Sequence, residues 1–188
     1  MTKEKVEGDR FCLYDRAAIE FVLDRMAADA AALLRGAEDP VLLGILRRGA
    51  PLAGMMQARL KAQFGIDLPR FELKLKRYAD DLGLLHPDTE LTENAELCAR
   101  DLSRATVLAV DDVLYRGHSL ARVVAYLSQR RAHVVRAAVL ADRGVVRLPV
   151  HADIVGIRLQ LAPDDIVECN VPPYEEDLGI ELLRPRRG

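Results

Sequence analysis

The sequence predicts an α/β fold, an open and mostly parallel sheet with helices on both faces. Three observations carry this expectation. Short apolar runs at 41–46, 107–110 and 134–140 have the composition of strands buried on both sides. Segments with helical spacing of apolar residues separate them, so strands and helices alternate and right-handed crossovers follow. At 188 residues the chain suits one domain with one substantial core.

Asp15 stands as an N-cap before Ile19, Val22, Leu23, Met26, Ala30, Leu33 and Leu34, which recur at helical spacing as far as Gly36. The run 41–46 is a buried strand, Arg47, Arg48 and Gly49 turn the chain, and Leu52, Met55, Met56, Leu60 and Phe64 share one face of a second helix. Pro51 suits that helix's first turn and Gly65 its end. Phe71, Leu73 and Leu75 alternate with Glu72, Lys74 and Lys76, the pattern of a half-exposed strand with a basic outer side.

Residues 79–104 break the periodicity, with Gly83 and Pro87 as interruptions and seven acids against two arginines. Two readings stand: a mobile functional loop, because structureless loops beyond about 12–15 residues are uncommon in compact domains, or a solvated surface insertion. After 107–110, Leu120, Val123, Val124 and Leu127 share a helical face, and 134–140 supplies the next strand. Residues 154–157 and 166–167 read as further short strands among Pro149, Pro163, Pro172 and Pro173.

Half of the residues are hydrophobic, 30% are charged and tryptophan is absent, which is ordinary for a globular protein. The net charge of −2 argues against strong nonspecific nucleic-acid affinity and leaves room for a local basic face. Lys74, Lys76, Arg122, Arg130, Arg131, Arg136 and Arg147 are its candidates, with scattered surface charge as the other reading. No apolar stretch approaches the roughly 20 residues that span a bilayer, and the first ten residues lack the apolar centre of a secretory signal, so no membrane and a cytoplasmic location are expected. Cys12, Cys98 and Cys169 form neither a disulfide framework nor a zinc pattern, and His86, His118, His133 and His151 lack metal-ligand spacing. Any metal is expected to arrive with a substrate.

The chemistry concentrates at 106–120. Asp111 and Asp112 fall where the strand at 107–110 emerges into solvent, and ligands of open α/β sheets bind at such carboxyl ends. Gly117 permits close backbone approach, Ser119 offers a hydroxyl, and a helix opening near Ser119 presents unpaired N–H groups to an anion. One end suits the hydroxyls of a sugar and the other a phosphate. The turn from Gly44 to Gly49 adds backbone N–H groups and guanidinium charge for a pyrophosphate, and it should lie beside Asp111 because both occupy carboxyl ends of parallel strands.

Residues 107–119 resemble the 13-residue phosphoribosyl-pyrophosphate (PRPP) motif of the type I phosphoribosyltransferases. Further segments are similar to the PyrR family of pyrimidine-operon attenuators and uracil phosphoribosyltransferases. Gly44, Ile45, Arg48 and Gly49 match its first loop; Tyr78, Asp80, Asp81 and Leu82 match its Tyr-Arg-Asp-Asp-Leu segment; Asp111 to Tyr115 with Gly117 match its central motif. The likeness continues through Ala138 to Gly144, Leu148 to Val150, and Ala152 to Gly156. Departures include Ala79 for the arginine of the loop motif, Leu46 and Arg47 for Lys-Thr, and Arg116, His118 and Ser119 for Thr, Arg and Thr. Ile157 stands where the family usually has lysine.

The resemblance implies a single phosphoribosyltransferase-like domain over 1–188, with a mobile loop at about 79–104 and a small C-terminal hood formed by about 145–188. It implies transfer of the phosphoribosyl group from PRPP with Mg²⁺ to a nucleobase, uracil above all, with release of pyrophosphate. Asp111 and Asp112 would hold ribose and, through substrate, the metal, with Asp111 also a candidate general acid/base. Tyr78, Asp80 and Asp81 would belong to the closing loop, Arg47, Arg48 and Gly49 to the pyrophosphate site, and Tyr115, Arg116, Gly117, His118 and Ser119 to the 5-phosphate site. Asp142, Arg143, Val155 and Gly156 would line the base pocket. Two other functions remain open, an RNA-binding, pyrimidine-responsive regulator and a non-catalytic PRPP or nucleotide sensor, the latter supported by Ala79. The family also implies a homodimer or larger homo-oligomer.

Overall fold

A computed structural model of the chain describes residues 8–74 and 95–186. Five strands form the main sheet: β2 (Asp39–Leu46), β3 (Arg70–Lys74), β4 (Ala105–Leu114), β5 (Val134–Asp142) and β6 (Ile154–Arg158). Their order is β3-β2-β4-β5-β6, and every neighbouring pair is parallel. Helices α1 (Arg16–Leu33) and α2 (Gly49–Phe64) cover one face; α3 (Ala95–Ala99) and α4 (His118–Gln129) cover the other.

The strand pattern sets this layering. Along β2 and β4, Leu42, Leu108 and Val110 pack with α1 and α2, while Val41, Leu43, Ile45, Val107 and Ala109 pack with Leu97 of α3 and Val123 and Leu127 of α4. Strands apolar on both sides therefore sit between two cores. The expected helix signals hold as well: Asp15 accepts the Ala18 N–H at 2.9 Å, and Gly65 closes α2 in the left-handed region at φ 68°. On α4 one expectation fails. Val124 is exposed and the buried position belongs to Tyr126, because the buried stripe follows Leu120, Val123 and Leu127 around the helix.

A second, antiparallel sheet has the order β1-β8-β7, from β1 (Gly8–Tyr14), β7 (Ile166–Asn170) and β8 (Gly179–Pro185). Within 145–188, Val146, Val150 and Ala152 pack instead on Leu114, Leu120, Ala137 and Val139 of the main domain. Residues 95–104, expected as the end of a loop, are held in the core by Leu97 and Leu102, and Arg130 caps the carbonyls of Leu97, Cys98 and Arg100. Residues 79–94 lie outside the described residues.

The order of strands also locates a crevice. From β2 the chain crosses by α2 to β3 on one side, whereas from β4 it crosses by α4 to β5 on the other, so the order reverses between β2 and β4. Ligands of open α/β sheets bind outside the carboxyl ends at such a reversal.

Leu108 is fully buried at the centre of this sheet, whereas Phe21 is 72% exposed. Leu108→Ala is expected to cost about 2–5 kcal/mol of stability, while Phe21→Ala stays within about 0.5 kcal/mol of the parent. Urea unfolding of the two variants checks the difference.

Candidate active site

β2 and β4 pair from Asp39↔Ala105 to Gly44↔Val110 and then part, whereas β4 stays paired with β5 as far as Leu114↔Asp142. From Asp111 onward one edge of β4 is thus released by β2. Gly49, the first residue of α2, crosses at that edge: a Cβ there would lie 2.3 Å from the Val110 carbonyl oxygen and 3.0 Å from Asp111 Cα. Only glycine allows this approach. The expected neighbourhood of the Arg47–Gly49 turn and Asp111 is therefore realised by direct backbone packing. The peptide between Leu46 and Arg47 is cis.

Asp111 and Asp112 depart from expectation in one respect. They lie inside β4 and are buried, 7% and 3% exposed, because β5 extends the ladder past them. Buried carboxylates need partners, and these have them. Asp111 accepts the Asp112 N–H at 2.9 Å, and an Arg48 guanidinium nitrogen lies 3.8 Å from Asp112 Oδ2. Beneath Asp112, the Cys169 thiol of β7 points at its carbonyl oxygen at 3.9 Å, and burial, followed by the charge of Asp112, pushes that thiol's pKa well up.

The remaining partner comes from the β7–β8 connection. Glu175 accepts from Arg48 Nε at 3.1 Å and from a second guanidinium nitrogen at 2.5 Å, a bidentate pair. Its Oε2 also accepts the Val171 N–H at 2.9 Å. Burial pushes the Glu175 carboxyl up, but the hydrogen bonds from Arg48 and Val171 and the charges of Arg48 and Arg47 outweigh it and leave it below its ordinary value. The same hydrogen bond raises the Arg48 pKa against the opposing effect of burial. Next to this pair, Arg47 lies over the Tyr174 ring, 4.9 Å from its centroid.

At the other end of the crevice, Gly117 caps α4 at φ 88°, and a side chain there would strike Val150 and Val146 at 2.8 and 3.0 Å. Neither α2 nor α4 has a side-chain cap, whereas α1, outside the crevice, does. Both N-termini present first-turn N–H groups, those of Gly49 and Ala50 in α2 because Pro51 has none, with no side-chain cap and with the partial positive charge of a helix start. Ser119 is part-exposed and His118 exposed in the first turn of α4. Two guanidinium groups lie over the Tyr115 ring, Arg116 at 5.1 Å and Arg143 at 5.4 Å from its centroid. The Arg116 carbonyl takes the Arg147 N–H at 3.1 Å, which fixes the loop.

The crevice thus gathers Arg47, Arg48, Gly49, Asp111, Asp112 and 115–119. The other predicted residues are placed differently. Asp142 accepts the Gly144 N–H at 2.8 Å, and buried Arg143 donates to the carbonyls of Asp165 at 2.5 Å and Ala162 at 3.2 Å, so both are engaged in holding the chain beside Tyr115. Val155 is level with Asp111 through Val139, two strands across, hence about 10 Å away at the usual strand spacing. Gly156 turns toward Met26 and Val22 of α1, and Arg25 donates to its carbonyl. Tyr78, Asp80 and Asp81 lie outside the described residues. Sequence reasoning missed Glu175, Tyr174 and Cys169; the acidic run after Pro172 and Pro173 was the one available signal for Glu175.

Among the described residues, no group of three or more His, Cys, Asp or Glu side chains could hold a metal ion. No helix among them is long and apolar enough to cross a membrane.

Residues 12–177 match the phosphoribosyl transferase domain family. Relatives include the bifunctional protein PyrR of Oceanobacillus iheyensis, 30% identical over 90% of this chain and 95% of that one. The bifunctional protein PyrR of Staphylococcus carnosus is 34% identical over 84% of this chain and 89% of its own. Among solved structures, the hypoxanthine phosphoribosyltransferase of Trypanosoma cruzi superposes with a TM-score of 0.73 at 17% identity, covering 93% of this chain and 97% of that one. That likeness establishes the fold. Because the matches run through the parallel sheet, both crevice loops and the β7 strand beneath the acid pair, the chain belongs to the type I phosphoribosyltransferase family and, within it, to the PyrR proteins.

Proposed function

We propose that this protein transfers the phosphoribosyl group of PRPP to uracil with release of pyrophosphate. The observation that carries the reading is the packing of Gly49 against Val110 and Asp111, which sets an arginine-bearing loop beside two buried carboxylates. Asp111 and Asp112 hold the ribose hydroxyls, and the uncapped start of α4 with Ser119 holds the 5-phosphate. Arg47, Arg48 and the N–H groups opening α2 take the pyrophosphate. As C1 of ribose loses its leaving group it gains oxocarbenium character, so the protein's work is to position both reactants and to meet charge developing on the pyrophosphate.

Two adjacent carboxylates, in no larger metal-holding cluster among the described residues, fit Mg²⁺ that comes with the substrate, because this hard cation is held through substrate phosphates and few protein carboxylates. When bound it supplies positive charge to the leaving group. Asp111 is the candidate to take or return a proton, and the loop with Tyr78, Asp80 and Asp81 belongs to the closing lid. Asp142, Arg143, Val155 and Gly156 form the base side of the reading. The sheet of β1, β8 and β7 acts as its hood, with Cys169 and Glu175 reaching the acid pair and Arg48.

A second reading is favoured by the relatives' description as bifunctional: the same pocket senses a pyrimidine nucleotide and governs binding to RNA. Its surface would be narrower than the sequence allows. Arg130 is engaged by carbonyls and Arg136 pairs with Asp153 at 2.8 Å, leaving Lys74, Arg122, Arg131 and Arg147 as described candidates.

Incubated with PRPP, Mg²⁺ and a panel of bases, the protein should form nucleotide and pyrophosphate with uracil; PRPP binding without turnover on any base would mark it as a sensor. In the same assay Asp111→Asn with Asp112→Asn should lose PRPP binding while keeping the parent's circular dichroism, and unchanged affinity would refute that pair's role. A gel shift against pyrimidine-operon leader RNA, with and without UMP, should show nucleotide-dependent binding, and its absence at moderate salt removes the second reading. The reading includes a homodimer or larger assembly, for which sedimentation velocity should give a mass at least twice that of the 20.9 kDa chain.

A further inference from the structure

The β7–β8 connection is built to present one carboxylate. The Tyr174 and Glu175 N–H groups donate to the Val171 carbonyl at 3.1 and 3.3 Å, and the Val171 N–H donates back to Glu175 Oε2 at 2.9 Å. This closed turn aims Glu175 at the Nε edge of Arg48, the planar fork that matches a carboxylate or a phosphate equally well. The third nitrogen of Arg48 already faces Asp112 at 3.8 Å. All three nitrogens of this guanidinium are therefore directed at carboxylates, although Arg48 belongs to the cationic loop that opens α2 at the crevice.

We propose that Glu175 is an internal stand-in for pyrophosphate: it occupies the fork of Arg48 while the site is free of anion, and an arriving pyrophosphate displaces it. The inference rests on the reading that the Arg47–Gly49 loop receives pyrophosphate. Glu175 then sets how tightly that group is held and how readily it leaves, because the returning carboxylate competes for the same nitrogens. Displacement also frees the Val171 N–H from its acceptor, so the turn between β7 and β8 loosens when the anion enters. A carboxylate that served only to position Arg48 would have the opposite effect on affinity when removed.

Titration calorimetry with sodium pyrophosphate and Mg²⁺ on the full chain and on Glu175→Gln tests this, with circular dichroism as the check on folding. The variant, which keeps the shape and loses the charge, should bind about tenfold tighter, as expected from loss of one charged competitor. In the unaltered protein, hydrogen exchange at the Val171 amide should speed up on adding pyrophosphate. Equal or weaker binding by Glu175→Gln, or Val171 protection that pyrophosphate leaves unchanged, overturns the stand-in role. Failure of both proteins to bind pyrophosphate or PRPP removes the pyrophosphate loop itself, and the stand-in with it.

Discussion

The site depends on one close approach, that of Gly49 to the carbonyl of Val110. β2 leaves β4 at Val110, and the chain must then turn into α2 without drifting from the edge it has just exposed. A residue with a side chain would clash with that carbonyl at 2.3 Å and force the turn outward, carrying Arg47 and Arg48 with it. With glycine, backbone lies on backbone, and the loop becomes the wall of a crevice whose floor is Asp111. Gly44 makes the same kind of contact one turn earlier, where a Cβ would lie 2.5 Å from Ala50 Cα. Two glycines thus seat the start of α2 on the sheet, and the position of the cationic loop follows from sheet geometry.

What the sequence made legible was local. Apolar runs two-sided enough for a parallel sheet, the Asp15 cap, the Gly65 stop and the acid pair followed by Gly117 are each readable within a few residues. What stayed hidden was distant. β1 has four exposed residues among its seven and pairs with β8 near the other end of the chain, so no periodic signal marks it. Arg48 and Glu175 are 127 residues apart, and an arginine in a turn and a glutamate in a tail each look like solvated surface until the fold joins them. The burial of Asp111 and Asp112 was hidden for the same reason. It depends on how far β5 accompanies β4, which no property of 107–112 contains.

The smaller sheet and the main sheet are joined by polar contacts beside the crevice. Arg143 ties the 162–165 turn to the end of β5 through two carbonyls while its guanidinium lies over the Tyr115 ring. Glu175 ties the β7–β8 turn to the start of α2, and Cys169 packs under Asp112. Each link connects a residue at the crevice to a strand or turn of the smaller sheet. Groups buried this way are costly to leave unpaired, so the two sheets hold one relative placement, and ligand groups that replace a partner act on both sheets at once.

Charge completes the argument. The described crevice offers Arg47, Arg48, Arg116 and Arg143 against Asp111, Asp112 and Glu175. With most of this charge offset internally, affinity for a ligand as anionic as PRPP would draw on directed donors and on whatever charge the ligand brings. The uncapped openings of α2 and α4 supply the donors, at the two ends where the proposed phosphates lie. In the proposed reaction a divalent cation carried by the substrate would supply the charge, and the acid pair would receive it. Ala79, which stands where the family's motif has an arginine, lies outside the described residues. The competition proposed between Glu175 and pyrophosphate for Arg48 acts on this same balance of charge.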